Sequence, residues 1–184
     1  MAIIVLVIVG VVALCFIEFG VKAKIRHRQQ QYATAQLNPQ TNDFKNIVKF
    51  KSPYMGNNSN DENLNANLPF ANVPHTFLIH PTAHELDIRY TESVQDLGMA
   101  MSQFQASLVY DATANLALID NLNAITFTFS GASYHTTRAR VESWYGVTAG
   151  KLTNASTWQQ DVQSKLSDLK YATNAFQTFF GQTN

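Results

Sequence analysis

One long apolar run opens the chain and limits what it can fold into. From Ala2 to Ile17 every residue is apolar or Gly, and after Glu18 the run resumes with Phe19, Gly20 and Val21. About 20 such residues make a helix that crosses roughly 30 Å of hydrocarbon at about 1.5 Å per residue. A helix in a water-soluble core is rarely apolar on every face for that length. The run therefore predicts a spanning anchor that includes Ile3, Val7, Val11, Phe16 and Phe19, with the lipid bilayer as its partner. Glu18 falls near the end of the span, where a carboxylate can reach the headgroups at small cost. Two processed forms fit less well. Val21 and Ala23 are small enough to precede a signal-peptidase cut, but the start Met1-Ala2-Ile3 lacks the positive n-region of a signal peptide. Cys15 follows Leu14, where a lipid-modified cysteine needs a small neighbour.

Lys22, Lys24, Arg26 and Arg28 all lie just after the run, and the positive-inside rule places that flank in the cytoplasm. Cations near an anionic surface are worth about 1 kcal/mol each, so the same residues suit headgroup contact, although plain topogenic charge accounts for them equally. From Gln29 onward nine basic residues face twelve acidic ones, and no basic patch points to nucleic acid. Only 14% of the residues are charged, against about 25% in an average domain, so the polar surface is built from Asn, Gln, Ser and Thr. Cys15 is the sole cysteine, which leaves the rest of the chain without a disulfide or a thiolate metal site. With 184 residues, one globular domain is expected.

Lys22 to Leu37 contains no Pro or Gly, so the anchor helix continues beyond the lipid until Asn38-Pro39 stops it. The expected division is an anchor and juxtamembrane helix over 1–37, a linker over 38–43 and a soluble domain over 44–184. Ile47 to Phe50 reads as a short strand, and Ser59 or Asn60 as the cap of a helix through Leu64 and Leu68. Thr76 to Ile79 and Leu86 to Tyr90 read as strands, the second alternating cleanly. Leu108, Ala112, Leu116 and Ile119 mark a core helix between Phe104 and Leu122. Ile125 to Phe129 alternates and turns at Ser130-Gly131 toward a returning strand at Tyr134 to Thr136. Thr137 then caps a helix over Arg138 to Tyr145 that Gly146 closes. Ser156 and Gln159 have capping-box spacing, and Trp158, Val162, Leu166, Leu169, Phe176 and Phe180 form an apolar stripe about six turns long. The expected fold class is α+β: an N-terminal transmembrane helix, one small domain of antiparallel strands and hairpins packed with helices, and a long amphipathic helix at the end.

Four motifs in order, Phe50 to Asn60, Ala117 to Leu122, Ile125 to Phe129 and Val141 to Gly146, resemble an uncharacterised bacterial family, the domain of unknown function numbered 4825 (DUF4825). The resemblance covers roughly residues 50–146. It implies a domain typical of Gram-positive bacteria, found alone behind an anchor or lipoprotein signal or appended to membrane peptidases. An extracytoplasmic place and a sensing or interaction role follow from it, in conflict with the basic flank. It brings no catalytic residues.

Chemistry is sparse. His75, His80, His84 and Glu85 could meet at a hairpin, and zinc would need three or four such ligands at about 2.0–2.2 Å. Pro81 breaks the helix that a His80/His84 zinc motif requires. Exposed loop histidines are the plainer reading, so no metal, cofactor or catalytic residue is expected. No Gly-x-Ser-x-Gly elbow and no Gly-rich phosphate loop occurs. Tyr54, Gly56, Asn57 and Asn58 form the candidate ligand-binding loop, with Gly56 expected at positive φ and the two amides free to donate; Tyr54 packed inward over a simple turn is the structural alternative. Trp144-Tyr145 reads as a core anchor. The function expected is a non-enzymatic binding or sensory module for a cell-envelope protein or ligand, with a structural accessory subunit and a metal-dependent hydrolase at the histidine cluster as alternatives.

Overall fold

Beyond the N-terminal helix, the order of elements is set by where apolar residues alternate in twos and where they recur in threes and fours. The computed structural model describes residues 21–181. It divides into two units, one ending at Ala35 and the other running from Gln36 to Asn184. Helix α1 occupies 21–36 and is largely exposed.

The spanning helix in the expected fold class is not found: among the described residues no helix is long and apolar enough to cross a membrane. α1 carries the four cations that follow the apolar run. Ile3, Val7, Val11, Phe16 and Phe19 lie outside the described residues.

The second unit contains α2 (Phe44–Val48), α3 (Asn58–Asn65), β1 (His75–His80), β2 (Glu85–Tyr90), α4 (Met101–Leu118), β3 (Ala124–Phe129), β4 (Ala132–Thr137), α5 (Arg138–Tyr145), α6 (Ala155–Thr157) and α7 (Leu169–Phe180). The strands form one sheet in the order β1-β2-β3-β4. The two hairpins, β1-β2 and β3-β4, are antiparallel, but β2 and β3 run parallel, with Leu86 beside Ile125 and Ile88 beside Phe127. The expectation of antiparallel strands alone is thus corrected. A long crossover through α4 separates β2 from β3, and a crossover of that kind returns the chain in the same direction.

The helices pack on one face of the sheet, over Leu86, Ile88, Ile125 and Phe127, which are fully buried. The other face, carrying Thr76, Arg89, Ser133 and His135, is open to solvent. α4 is buried on nearly all sides from Phe104 onward and forms the axis of the core. Phe70, Tyr90, Phe104 and Phe129 cluster at one end, with ring centroids 4.5 to 5.7 Å apart. A polar seam joins α3 to α4: the amides of Asn65 and Asn115 donate to each other at 3.0 Å, and each also donates to the carbonyl four residues before it. Beside the seam, Asp61 is 1% exposed and neither of its carboxylate oxygens has a hydrogen-bond partner among the described residues.

Two further expectations fail for local reasons. Ile47 to Phe50 is not a strand; Asp43 accepts from the Lys45 N–H and starts α2, so the short apolar run turns helically and buries Ile47. The terminal stripe is not one long helix. Asn154, and not Ser156, caps α6; a π-helical segment follows over Trp158–Gln163 and a 3₁₀ segment over Ser164–Ser167. Asp168 is extended, and its side chain accepts from the Lys170 and Tyr171 N–H groups to begin α7.

Candidate functional site

Of the histidine cluster, the strand geometry brings little together. His75 and His80 stand at opposite ends of β1 and on opposite faces, since they are an odd five positions apart in a period of two. His75 Nδ1 lies 2.7 Å from the Val73 carbonyl, while His84 occupies the hairpin turn at φ 52°. Glu85 points across the parallel pair instead: Thr126 Oγ1 donates to its carboxylate at 2.8 Å, and His135 Nδ1 lies 3.3 Å from it. His135 joins this group although no motif in the sequence marks it. Its position follows from the Thr126–His135 register of the second hairpin, but its approach to Glu85 needs the parallel pairing of β2 with β3. Among the described residues no group of three or more His, Cys, Asp or Glu is placed to hold a metal ion.

The 54–60 loop is held at the C-terminal end of α4. Ser52 N–H donates to the Leu118 carbonyl, and Met55 N–H donates to Asn121 Oδ1 at 2.7 Å. Met55 is the residue that packs inward, and Tyr54 stands 68% exposed. Gly56 is not at positive φ, so the turn does not depend on glycine there. Asn57 is exposed but engaged as the N-cap of α3, its side-chain oxygen accepting from the Asn60 N–H, and Asn58 beside it is exposed. Substituting Asn57→Ala is accordingly expected to cost about 1 kcal/mol of stability, and Asn58→Ala less than about 0.5 kcal/mol, measured by urea denaturation.

A more enclosed site lies further along the chain. Trp144 and Tyr145 end α5, where Gly146, at φ 69°, supplies the left-handed residue that closes the helix. Glu142 then accepts from the Ala149 N–H at 3.0 Å and ion-pairs with Arg138, fixing the turn into a 3₁₀ segment over Ala149–Thr153. That segment supplies Lys151, the π and following 3₁₀ segments supply Asp161 and Lys165, and α7 supplies Tyr171. Together they line a cleft of about 510 Å³. Trp144 Nε1–H donates to Tyr171 Oη at 2.8 Å, with the rings edge to face at 5.1 Å. The Tyr145 hydroxyl is 3.2 Å from Thr113 Oγ1. Lys165 pairs with Asp161 at 3.4 Å and lies over the Tyr171 ring at 5.9 Å. Burial raises the pKa of Tyr145 and of Tyr171 above the ordinary phenol value, so their hydroxyls stay protonated at neutral pH.

The π-helical segment gives this wall its shape. Its wider turn lets Trp158 and Val162 bury on the inner side while Asp161 faces the cleft. Single π turns within helices recur at functional sites. Trp144 and Tyr145 pack against the core as expected of an anchor, and being only partly buried they also face the cleft. The two lysines and Asp161 carried no motif that could mark them.

The described body is thus a mixed four-stranded sheet with helices on one face and a cleft formed after its last strand. The chain belongs to the family of the domain of unknown function DUF4825, which matches residues 47–139. That match takes in the sheet, the histidines and the 54–60 loop, and it ends before the cleft. No curated protein and no solved structure matches the chain.

Proposed function

We propose that the chain is a non-enzymatic binding module whose recognition surface is the cleft between α5 and α7. The observation that carries this reading is a concavity of ligand size, walled by Trp144, Tyr145 and Tyr171 and rimmed by two ammonium groups against one carboxylate. Small-molecule sites commonly span about 300–1,000 Å³ and combine apolar walls with a few polar groups. The ring faces favour a flat or apolar body, and the excess positive charge favours an acidic group on it.

Two indole N–H signals, from Trp144 and Trp158, make the test direct in a nitrogen-15 NMR titration with 4-hydroxyphenylacetate as probe. The Trp144 signal should shift saturably and the buried Trp158 signal should not. Tyramine, with the same ring and the opposite charge, should give little response. The double substitution of Lys151→Ala and Lys165→Ala should weaken the acid at least about tenfold, or 1.4 kcal/mol. Equal responses to the two probes, or an unchanged titration in the double variant, would remove the cleft as the recognition surface.

A further inference from the structure

The two edges of the sheet are not alike. β4 is covered by α5 and α7, which pack against it. β1 has its close partner in β2, and its core-side residues Phe77 and Ile79 are only partly buried, while Leu78 on the other face is 37% exposed. Among the described residues, the apolar layer therefore runs out to the β1 edge without being closed over.

The backbone at that edge follows from the register. Thr91 N–H donates to the Pro74 carbonyl, so the bonded pairs of the β1-β2 ladder fall at the even positions 74, 76, 78 and 80. The N–H and C=O groups of His75, Phe77 and Ile79 consequently point away from β2. Folded proteins usually protect such an edge with Lys, Pro, a bulge or a covering segment. His75-Thr76-Phe77-Leu78-Ile79-His80 contains no Lys, Arg, Asp, Glu or Pro.

We propose that β1 pairs antiparallel with β1 of a second copy of this chain, about a two-fold axis through Phe77, to give a continuous eight-stranded sheet. The strand is complementary to itself in that register. Phe77 meets Phe77 of the other copy, Ile79 meets His75 and Leu78 meets Thr76, so no like charges face each other. All three outward-facing residues exchange both backbone bonds with their opposites. The parity of the register keeps both helical layers on the same side, and the partly buried Phe77 and Ile79 of each copy extend one apolar layer across the joint. A two-fold contact needs a surface patch that fits itself, and this edge has that property.

The test uses the full chain with Cys15→Ser as background. Phe77→Cys places two thiols on directly opposed residues, whose Cα atoms in a bonded antiparallel pair lie about 5.5 Å apart, within disulfide range. Mild oxidation should give severalfold more disulfide-linked dimer than Ser133→Cys on the opposite edge. Ile79→Pro removes an outward N–H while sparing the β1-β2 ladder, and it should abolish the dimer in sedimentation velocity with the thermal transition retained. Should that variant fail to fold, Leu78→Lys, which sets an exposed ammonium at the joint, should still lower the dimer fraction severalfold. Equal crosslinking from the two edges, or a dimer untouched by the folded edge variants, would overturn the proposal. A monomer whose edge instead binds an added extended peptide would overturn it as well.

Discussion

Replacing Trp158 by alanine is expected to remove about 3–5 kcal/mol of folding stability, the largest loss from any single truncation considered for this chain. The indole is fully buried, stacked on Phe44 at 4.8 Å and edge-on to Tyr110 at 5.3 Å. Its Nε1–H donates to Tyr110 Oη, which in turn donates to Asn42 Oδ1. Asn42 Nδ2 donates to the carbonyls of Gln36 and Asn67, so the indole heads a chain of bonds reaching α3's exit and the start of the unit. Alanine would leave a cavity and also strip the Tyr110 hydroxyl of a donor. Trp158→Phe keeps most of the volume and loses only that donor, so it should cost about 1–3 kcal/mol. Urea midpoints for the two variants separate packing from hydrogen bonding. A loss under about 1 kcal/mol for alanine would mean that the π-helical segment collapses into the gap.

Asp61→Asn is expected to stabilise the protein, and by an amount that grows with pH. Burial raises the Asp61 carboxyl from 3.8 to about 7. Its place in the first turn of α3 works the other way, but a helix N-terminus favours a carboxylate by only about 0.3–1 kcal/mol. Desolvation without a single hydrogen bond outweighs that. The folded state therefore holds its proton more tightly than the unfolded chain does. The favourable contribution is complete below about pH 4, falls as pH rises and is lost once the folded group ionises near pH 7. The neutral amide does not ionise, so the variant should match the parent near pH 4 and exceed it by on the order of 2–4 kcal/mol above pH 7. Melting curves of both proteins from pH 4 to 8 measure the difference. A constant gap across that range would show that the carboxylate is hydrated in the folded protein.

These two residues also mark the limits of what could be read from the chain. The β3-β4 hairpin was legible because Ile125 to Phe129 alternates and Ser130-Gly131 supplies a tight turn, with Gly131 at φ 84°. α5 was legible because Thr137 and Gly146 provide chemically specific start and stop signals. The run Ile47 to Phe50 was not, since four apolar residues fit either period and the deciding Asp43 cap lies outside them. Periodicity also hid the break at Asp168: the apolar stripe stays in phase across it, and only the local bonds of Asp168 to Lys170 and Tyr171 reveal a new helix start. The candidate site was the least legible part. Its walls come from several segments, and neither the π turn that aims Asp161 nor the approach of Trp144 to Tyr171 leaves a trace in residue spacing.

The parallel seam between β2 and β3 has a kinetic consequence. Each hairpin closes a short loop and can form within about 1–10 μs, but neither can join the other until the chain from Tyr90 to Ala124 has folded back on itself. α4 lies in that stretch, so helix formation shortens the span while docking of its buried side chains aligns the two halves. The slow event is then assembly of two preformed halves around one helix. Truncating Leu116, which is fully buried in α4, should slow refolding, and loosening the Gly131 turn, already made when the halves meet, should slow it too with little change in unfolding. Until α4 docks, the chain would carry two extra unpaired strand edges, those of β2 and β3, and crowding at that stage would favour association between molecules over completion of the sheet.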